Sequence, residues 1–226
     1  MYNKVIKGRG LSVIYISGKY RWVKTGGSRS WRNNNPGNLR SGPHTRINGS
    51  IGRVEGFAVF PSEETGAKAR VNLLKGSRYR SKTISEMVNA YAPREDGNDP
   101  ERYKRQIKAF SGLDRNRRLS SLTEKEFQAL IEAMKQIEGY APGTEEKFRA
   151  KEIVDVKTND KNSIIAYRVE GLGWISKPEA IRLTEEGRID AVVVTRQGNT
   201  FIRTRPDYEV VNNLEEKKPR RKSRRR

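Results

Sequence analysis

The residues that could do chemistry are few, and spacing singles out one of them. Cysteine is absent and His44 is the lone histidine, so thiolate catalysis, a Cys/His metal centre and a Ser-His-Asp triad have too few components. Chemistry is left to carboxylates, hydroxyls and backbone groups, and neither a metal nor an organic cofactor is expected. From Phe127 onward, a helical step of about 100° per residue puts Ile131 near 40°, Met134 near 340° and Leu130 near 300°. Glu138 falls at about 20°, inside this apolar stripe. At the C-terminal end of a helix, on its buried face, desolvation and the negative helix end both favour a protonated carboxyl. A protonated carboxylic acid is what acid-catalysed cleavage of a glycosidic bond needs. Gly139 and Gly143 would let a substrate chain approach. The competing readings pair Glu138 with one of the 47 Lys and Arg side chains, or end the helix before it reaches Glu138.

Glu64 is the second candidate acid, although it shares with Glu63 the first turn of a helix, where acids are common for dipole reasons alone. Glu55 is weaker still, and His44 has no visible partner and reads as surface. The run Asn33-Asn34-Asn35-Pro36-Gly37-Asn38 combines a tight Pro-Gly turn with amides that both donate and accept, which suits N-acetyl and hydroxyl groups of amino sugars. The same amides could instead hold the loop's own backbone. Trp31, Tyr20 and Trp22 could stack on sugar rings, or pack in a core.

A polyanionic partner is implied by charge. The 226-residue chain carries a formal +20, with Lys+Arg 47 against Asp+Glu 27. Glu55 is the first acid in the chain, and Lys217, Lys218, Arg220, Arg221, Lys222, Arg224, Arg225 and Arg226 crowd its last ten positions. Such a surplus favours nucleic acid, an anionic surface or an anionic wall polymer. No apolar run approaches the ~20 residues of a membrane span, and Val13 to Ile16 is too short for a secretory signal.

Several elements must position these residues. Val13 to Ile16, Ser17-Gly18-Lys19 and Tyr20 to Val23 read as a hairpin, and residues 32–56 as a long loop. Ser62, Thr83-x-x-Glu86, Asp99-Pro100 and Thr123-x-x-Glu126 are helix starts. Expected buried stripes are Ala67, Val71 and Leu74, then Ile84, Met87, Val88 and Tyr91, then Tyr103, Ile107 and Phe110. After Ala141-Pro142-Gly143, apolar runs at 153–156, 164–169, 189–195 and 200–203, with a helix capped by Ser176, predict a ββαββ module. The expected domains are residues 1–146, 150–210 and a disordered polybasic 211–226.

Trp31-Arg32-Asn33-Asn34-Asn35-Pro36-Gly37-Asn38-Leu39-Arg40, with Gly56 to Gly66, Tyr91-Ala92-Pro93, Asn98-Asp99-Pro100, Tyr103 and Ile137-Glu138-Gly139, resembles a family of phage virion and prophage proteins described as lysozyme-like or lytic-transglycosylase-like. The resemblance covers residues 10–143. It implies an α+β chain whose first domain is mainly helical and lysozyme-like, with an N-terminal β-hairpin. Glu138-Gly139 also looks like the catalytic Glu at a helix end of lysozyme-like transglycosylases, and Asn34 to Leu39 like their later Asn-rich loop, in permuted order. Carried over, this makes Glu138, and second Glu64, catalytic, and Asn33, Asn34, Asn35, Asn38, Arg40 and Tyr91 substrate-binding. Val169-Glu170-Gly171, Trp174-Ile175-Ser176, Pro178-Glu179-Ala180, Gly187, Asp190 and Arg205-Pro206-Asp207 resemble a family of small bacterial domains of unknown function.

The resulting expectation is a peptidoglycan-cleaving lytic transglycosylase or muramidase-like protein of phage or prophage origin. It would act at the cell wall from a virion or a phage-bearing bacterium, with glycan strands and possible virion or tail proteins as partners. The alternative is a non-catalytic virion or nucleoid-type protein that binds DNA or RNA through its basic tail.

Overall fold

The structure, a computed structural model, describes residues 2, 4–196 and 198–204. In chain order the first elements are strands β1 (Lys4–Lys7), β2 (Ser12–Ser17) and β3 (Tyr20–Thr25), then short helices α1 (Arg29–Arg32) and α2 (Pro43–Ile47). A hairpin β4 (Gly52–Val54) and β5 (Phe57–Val59) precedes helices α3 (Glu63–Lys75), α4 (Ser77–Arg80), α5 (Ile84–Tyr91), α6 (Pro100–Ser111) and α7 (Glu124–Glu138). Strands β6 (Thr144–Arg149), β7 (Ile153–Thr158), β8 (Ile164–Val169) and β9 (Gly173–Ser176) come next, then α8 (Lys177–Glu185), β10 (Ala191–Arg196) and β11 (Asn199–Thr204).

Among the described residues two compact units emerge, one within 1–7 and 24–145, the other within 8–23 and 146–204. The hairpin of β2 and β3 therefore belongs largely to the second unit, not to the 1–146 domain expected for it.

In the first unit, helix starts follow local chemistry. The hydroxyls of Ser62, Thr83 and Thr123 accept from the amides of Thr65, Glu86 and Glu126, and Thr83 and Thr123 form reciprocal capping boxes. Asp99 caps α6 ahead of Pro100. Met87 and Val88 of α5, Tyr103 and Ile107 of α6, and Phe127, Leu130, Ile131 and Met134 of α7 meet in one buried cluster. On α3 the buried positions are Gly66, Ala69, Arg70 and Leu74, whereas Ala67 and Val71 are only partly covered, so the stripe is rotated from the expected one. Phe110 also departs from expectation, at 50% exposed.

The segment 32–56 is not a structureless loop, since α2 and β4 form within it, and Leu39 and Arg40 run against Ala58 and Phe57 of β5. Side-chain hydrogen bonds, invisible to hydrophobic periodicity, order this segment.

In the second unit, β7, β8 and β9 pair antiparallel, and β10 and β11 form a separate hairpin. Helix α8, capped by Ser176, closes over Tyr167, Ile189, Ala191 and Ile202 through Ala180 and Leu183. The arrangement is βββαββ rather than ββαββ: β9 is short and glycine-led, too brief for its own periodic signal. Arg21, almost fully buried, is ion-paired with Asp190 and donates to the Gly18 carbonyl at 2.8 Å.

A mainly helical lysozyme-like fold is thereby overturned. The described protein is 38% helical and 30% strand, with several small antiparallel sheets. Capping boxes and apolar stripes overweight helices in a sequence reading, because three-residue strands such as β4 and β5 carry too few residues for a period to register.

Candidate active-site cleft

Three elements bring the chemistry together inside the first unit. Helix α7 ends at Glu138, with Gly139 at positive φ as its cap. Helix α6 presents Tyr103, and the Asn-rich turn presents Asn38. The Tyr103 hydroxyl donates to Glu138 Oε1 at 3.0 Å, and Asn38 Nδ2 donates to Oε2 at 2.8 Å. Each carboxylate oxygen is thus oriented by one neutral donor. In turn, Arg29 Nε donates to Asn38 Oδ1 at 3.3 Å, and its guanidinium carbon lies 3.6 Å from the centre of the Phe57 ring. Glu138, Asn38, Arg29 and Phe57 border a cleft of about 580 Å³ that Arg40, His44, Arg78, Tyr91 and Asp96 help to line, with Tyr103 buried behind Glu138.

The asparagine run divides into supports and a tip. Asn35 is fully buried, donating to the carbonyls of Leu39 and Ala58 and accepting from the Leu39 amide, each at 2.9 Å. Asn34 donates to the Phe60 carbonyl at 3.1 Å and accepts from Lys24 Nζ at 2.6 Å. Both Asn34 and Asn38 have positive φ, a conformation asparagine tolerates better than most residues. Between them the turn is clamped at Gly37: Tyr91 Oη donates to its carbonyl at 2.5 Å, while a Cβ there would lie 2.7 Å from both Tyr91 Oη and Arg70 Cδ. Arg70, nearly fully buried, donates to the Pro36 carbonyl at 3.2 Å.

Electrostatics keep the two tyrosine hydroxyls in their donating form. Burial and then the charge of Glu138 push the Tyr103 hydroxyl well above the usual tyrosine range, and the same two causes raise Tyr91. For Arg29, burial pulls the guanidinium down, and Glu138 opposes that pull. Lys24 is lowered by its burial, against the opposing charges of Glu145 and Glu63.

Residues 152–218 match a family described as a protein of unknown function, DUF3892. That match covers less than a third of the chain and lies outside the cleft. No curated protein matches the chain.

Of the residues named from sequence, Glu138, Asn38, Arg40 and Tyr91 border the cleft. Asn33, Asn34 and Asn35 do not: all three are buried, Asn34 and Asn35 spend their amides on the loop's own architecture, and the amide atoms of Asn33 have no hydrogen-bond partner among the described residues. Glu64 is exposed in the first turn of α3, away from the cleft. Glu55 pairs with Lys7 at 2.5 Å. His44 is not an unpartnered surface residue, since its Nε2 lies 2.8 Å from the Ala69 carbonyl oxygen. A Cβ at Gly143 would lie 2.2 Å from the Thr25 carbonyl oxygen, so this glycine admits the chain's own backbone rather than a substrate. Trp31 lies beneath Lys24, and Tyr20 and Trp22 both face Lys147.

Sequence reasoning missed Arg29 and Asp96, neither of which stands in a pattern separable from general charge, and it placed Phe57 in the Gly56 to Gly66 motif without giving it a role at the site. The basic residues from Lys217 to Arg226 lie outside the described residues. Among the described residues, no group of three or more His, Asp or Glu side chains could hold a metal ion, and no helix is long and apolar enough to cross a membrane.

Proposed function

We propose that the cleft cleaves the glycan strands of peptidoglycan, with Glu138 as the general acid. The observation that carries the reading is the convergence on Glu138 of two neutral donors, at the edge of a cleft large enough for sugar units. Neutral donors orient a carboxyl group while favouring its anionic form less strongly than a buried cation would. The Glu138 carboxyl would give its proton to the glycosidic oxygen as the C–O bond breaks. In lytic transglycosylation the sugar's own hydroxyl then attacks the anomeric carbon and returns a proton to Glu138, closing an anhydro ring.

A single suitable acid favours transglycosylation over hydrolysis, which normally uses two carboxylates. The other acid lining the cleft, Asp96, is held by Arg40 at 3.0 Å. The reading rests on the cleft and not on membership of a lysozyme-like fold. A phage or prophage setting, with action at the cell wall, is part of the same proposal.

The test is release of soluble fragments from purified sacculi by the wild-type protein and by Glu138→Gln. Loss of release by about 10²-fold or more in the variant is expected for a general acid, and anhydro ends on the products would mark transglycosylation. Equal release by both proteins would remove Glu138 from the mechanism. Sacculus binding without release would leave a wall-binding protein.

The net charge of +20 supports a second reading, a non-catalytic protein that holds DNA or RNA through its basic C-terminal residues. It predicts affinity that falls steeply with salt and is lost when residues 217–226 are removed.

A further inference from the structure

Arg29 stands beside Glu138 without pairing with it. Both Glu138 oxygens are taken by Asn38 and Tyr103, and the Arg29 side chain touches this network only through Nε, at Asn38 Oδ1. Its guanidinium is stacked on Phe57 at 3.6 Å. An arginine carries five N–H donors, and the four on the Nη atoms of Arg29 have no protein partner among the described residues. The other arginines of the cleft are already engaged: Arg40 also reaches the Phe57 ring, at 5.0 Å, but is ion-paired with Asp96 at 3.0 Å, and Arg78 lies over Tyr79 at 5.4 Å, with no hydrogen bond from either into the Asn38 and Glu138 chain. Stacking and one hydrogen bond orient the guanidinium of this exposed residue, which lowers the rotamer freedom to be lost on binding.

We propose that Arg29, on its Phe57 platform, forms a carboxylate subsite beside Glu138, and that the glycan taken by the cleft bears a free carboxylate close to the scissile bond. The proposal rests on the reading of the cleft as glycan-cleaving. A planar guanidinium fork matches a carboxylate in bidentate fashion, and a neutral amino-sugar polymer would leave that fork unused. Two wall components share the required chemistry: the free lactyl carboxylate of a peptide-stripped muramic acid, and the first free carboxylate of an attached stem peptide.

The experiment is calorimetric binding of glycans to Glu138→Gln protein, chosen so that the proposed turnover does not consume the probe, with and without a second change at position 29. The probes are a peptide-free muramic-acid tetrasaccharide, the same glycan with its lactyl carboxyls amidated, and a peptide-bearing tetrasaccharide. Arg29→Gln should weaken at least one carboxylated probe about tenfold, the loss of one charge-assisted pair, and leave the amidated probe unchanged. Arg29→Lys should retain part of the affinity. Which carboxylated probe responds identifies the source of the carboxylate.

Equal weakening of charged and amidated probes, no weakening at all, or no binding of any carboxylated probe overturns the subsite. Should Arg29→Gln fail to fold, Phe57→Leu removes the platform instead and carries the same expectation. Failure of the two proposals is distinguishable. An Arg29-dependent preference in a protein that releases nothing from sacculi sinks glycan cleavage and keeps the subsite, whereas Glu138-dependent release without that preference does the reverse.

Discussion

Asn38 donates its side-chain amide to Glu138 at 2.8 Å across one hundred residues of chain. The bond joins the tip of an asparagine-rich turn to the last residue of α7, and it makes the turn part of the orientation of the acid. Replacing Asn38 by Gly keeps a residue suited to positive φ and removes only the amide, so the fold should persist. Turnover on sacculi should fall by about 10²-fold, the lower end of what removing one oriented donor from a catalytic site costs. Asn38→Ala, which adds backbone strain, should in addition lower the melting temperature. A Gly variant with wild-type turnover would separate the turn from the chemistry.

Tyr103 holds the other oxygen of Glu138, and its hydroxyl is raised well above the ordinary value of 10.0 by burial and by the neighbouring carboxylate. It therefore stays a donor throughout the working range. Wild-type activity should show no loss attributable to tyrosine ionisation up to about pH 10, and Tyr103→Phe should lower turnover without moving the alkaline limb. A limb that disappears in Tyr103→Phe would contradict this.

Gly66 of α3 packs so closely on the turn that a Cβ there would lie 2.0 Å from the Asn34 carbonyl oxygen. Gly66→Ala should destabilise the first unit by about 1–3 kcal/mol through overpacking. Asn35→Ala should cost about 2–4 kcal/mol by stripping partners from buried backbone groups of Leu39 and Ala58. Denaturant midpoints measure both. Neutral behaviour at Asn35 would return that residue to a substrate-binding role.

Glu86 and Glu126 close the capping boxes of α5 and α7, and hydrogen bonds from Thr83 and Thr123 hold both carboxyls below their ordinary value of 4.5. A depressed folded-state value stabilises the protein fully above pH 4.5, and that contribution is lost as pH falls through the lower folded values. Melting temperature should therefore drop in that acid window. The gap between wild type and a Glu86→Gln, Glu126→Gln double variant should be largest at neutral pH and close on acidification. A gap independent of pH would show that charge contributes nothing at these caps.

Legibility followed the range of the interactions. Caps at Ser62, Thr83, Asp99, Thr123 and Ser176 depend on residues three apart and were readable as strings. The buried stripe of α7 was readable too, because Phe127, Leu130, Ile131 and Met134 repeat at the helical period. The same logic failed on α3, whose buried face includes Gly66 and Arg70: a glycine chosen for close approach and an arginine chosen to hold the Pro36 carbonyl carry no apolar signal. It also missed the hairpin of β4 and β5, whose strands are shorter than one readable period.

By itself the sequence determined which side-chain chemistries are present, where most helices begin, and that Glu138 ends a helix on its apolar side, all consequences of composition and of contacts within one turn. Tertiary structure decided which asparagine reaches Glu138, that Asn34 and Asn35 serve the turn instead, and that Arg29 stands on Phe57 with its fork free. Those outcomes depend on partners tens of residues away, competing for the same donors and acceptors. Only a folded chain resolves that competition.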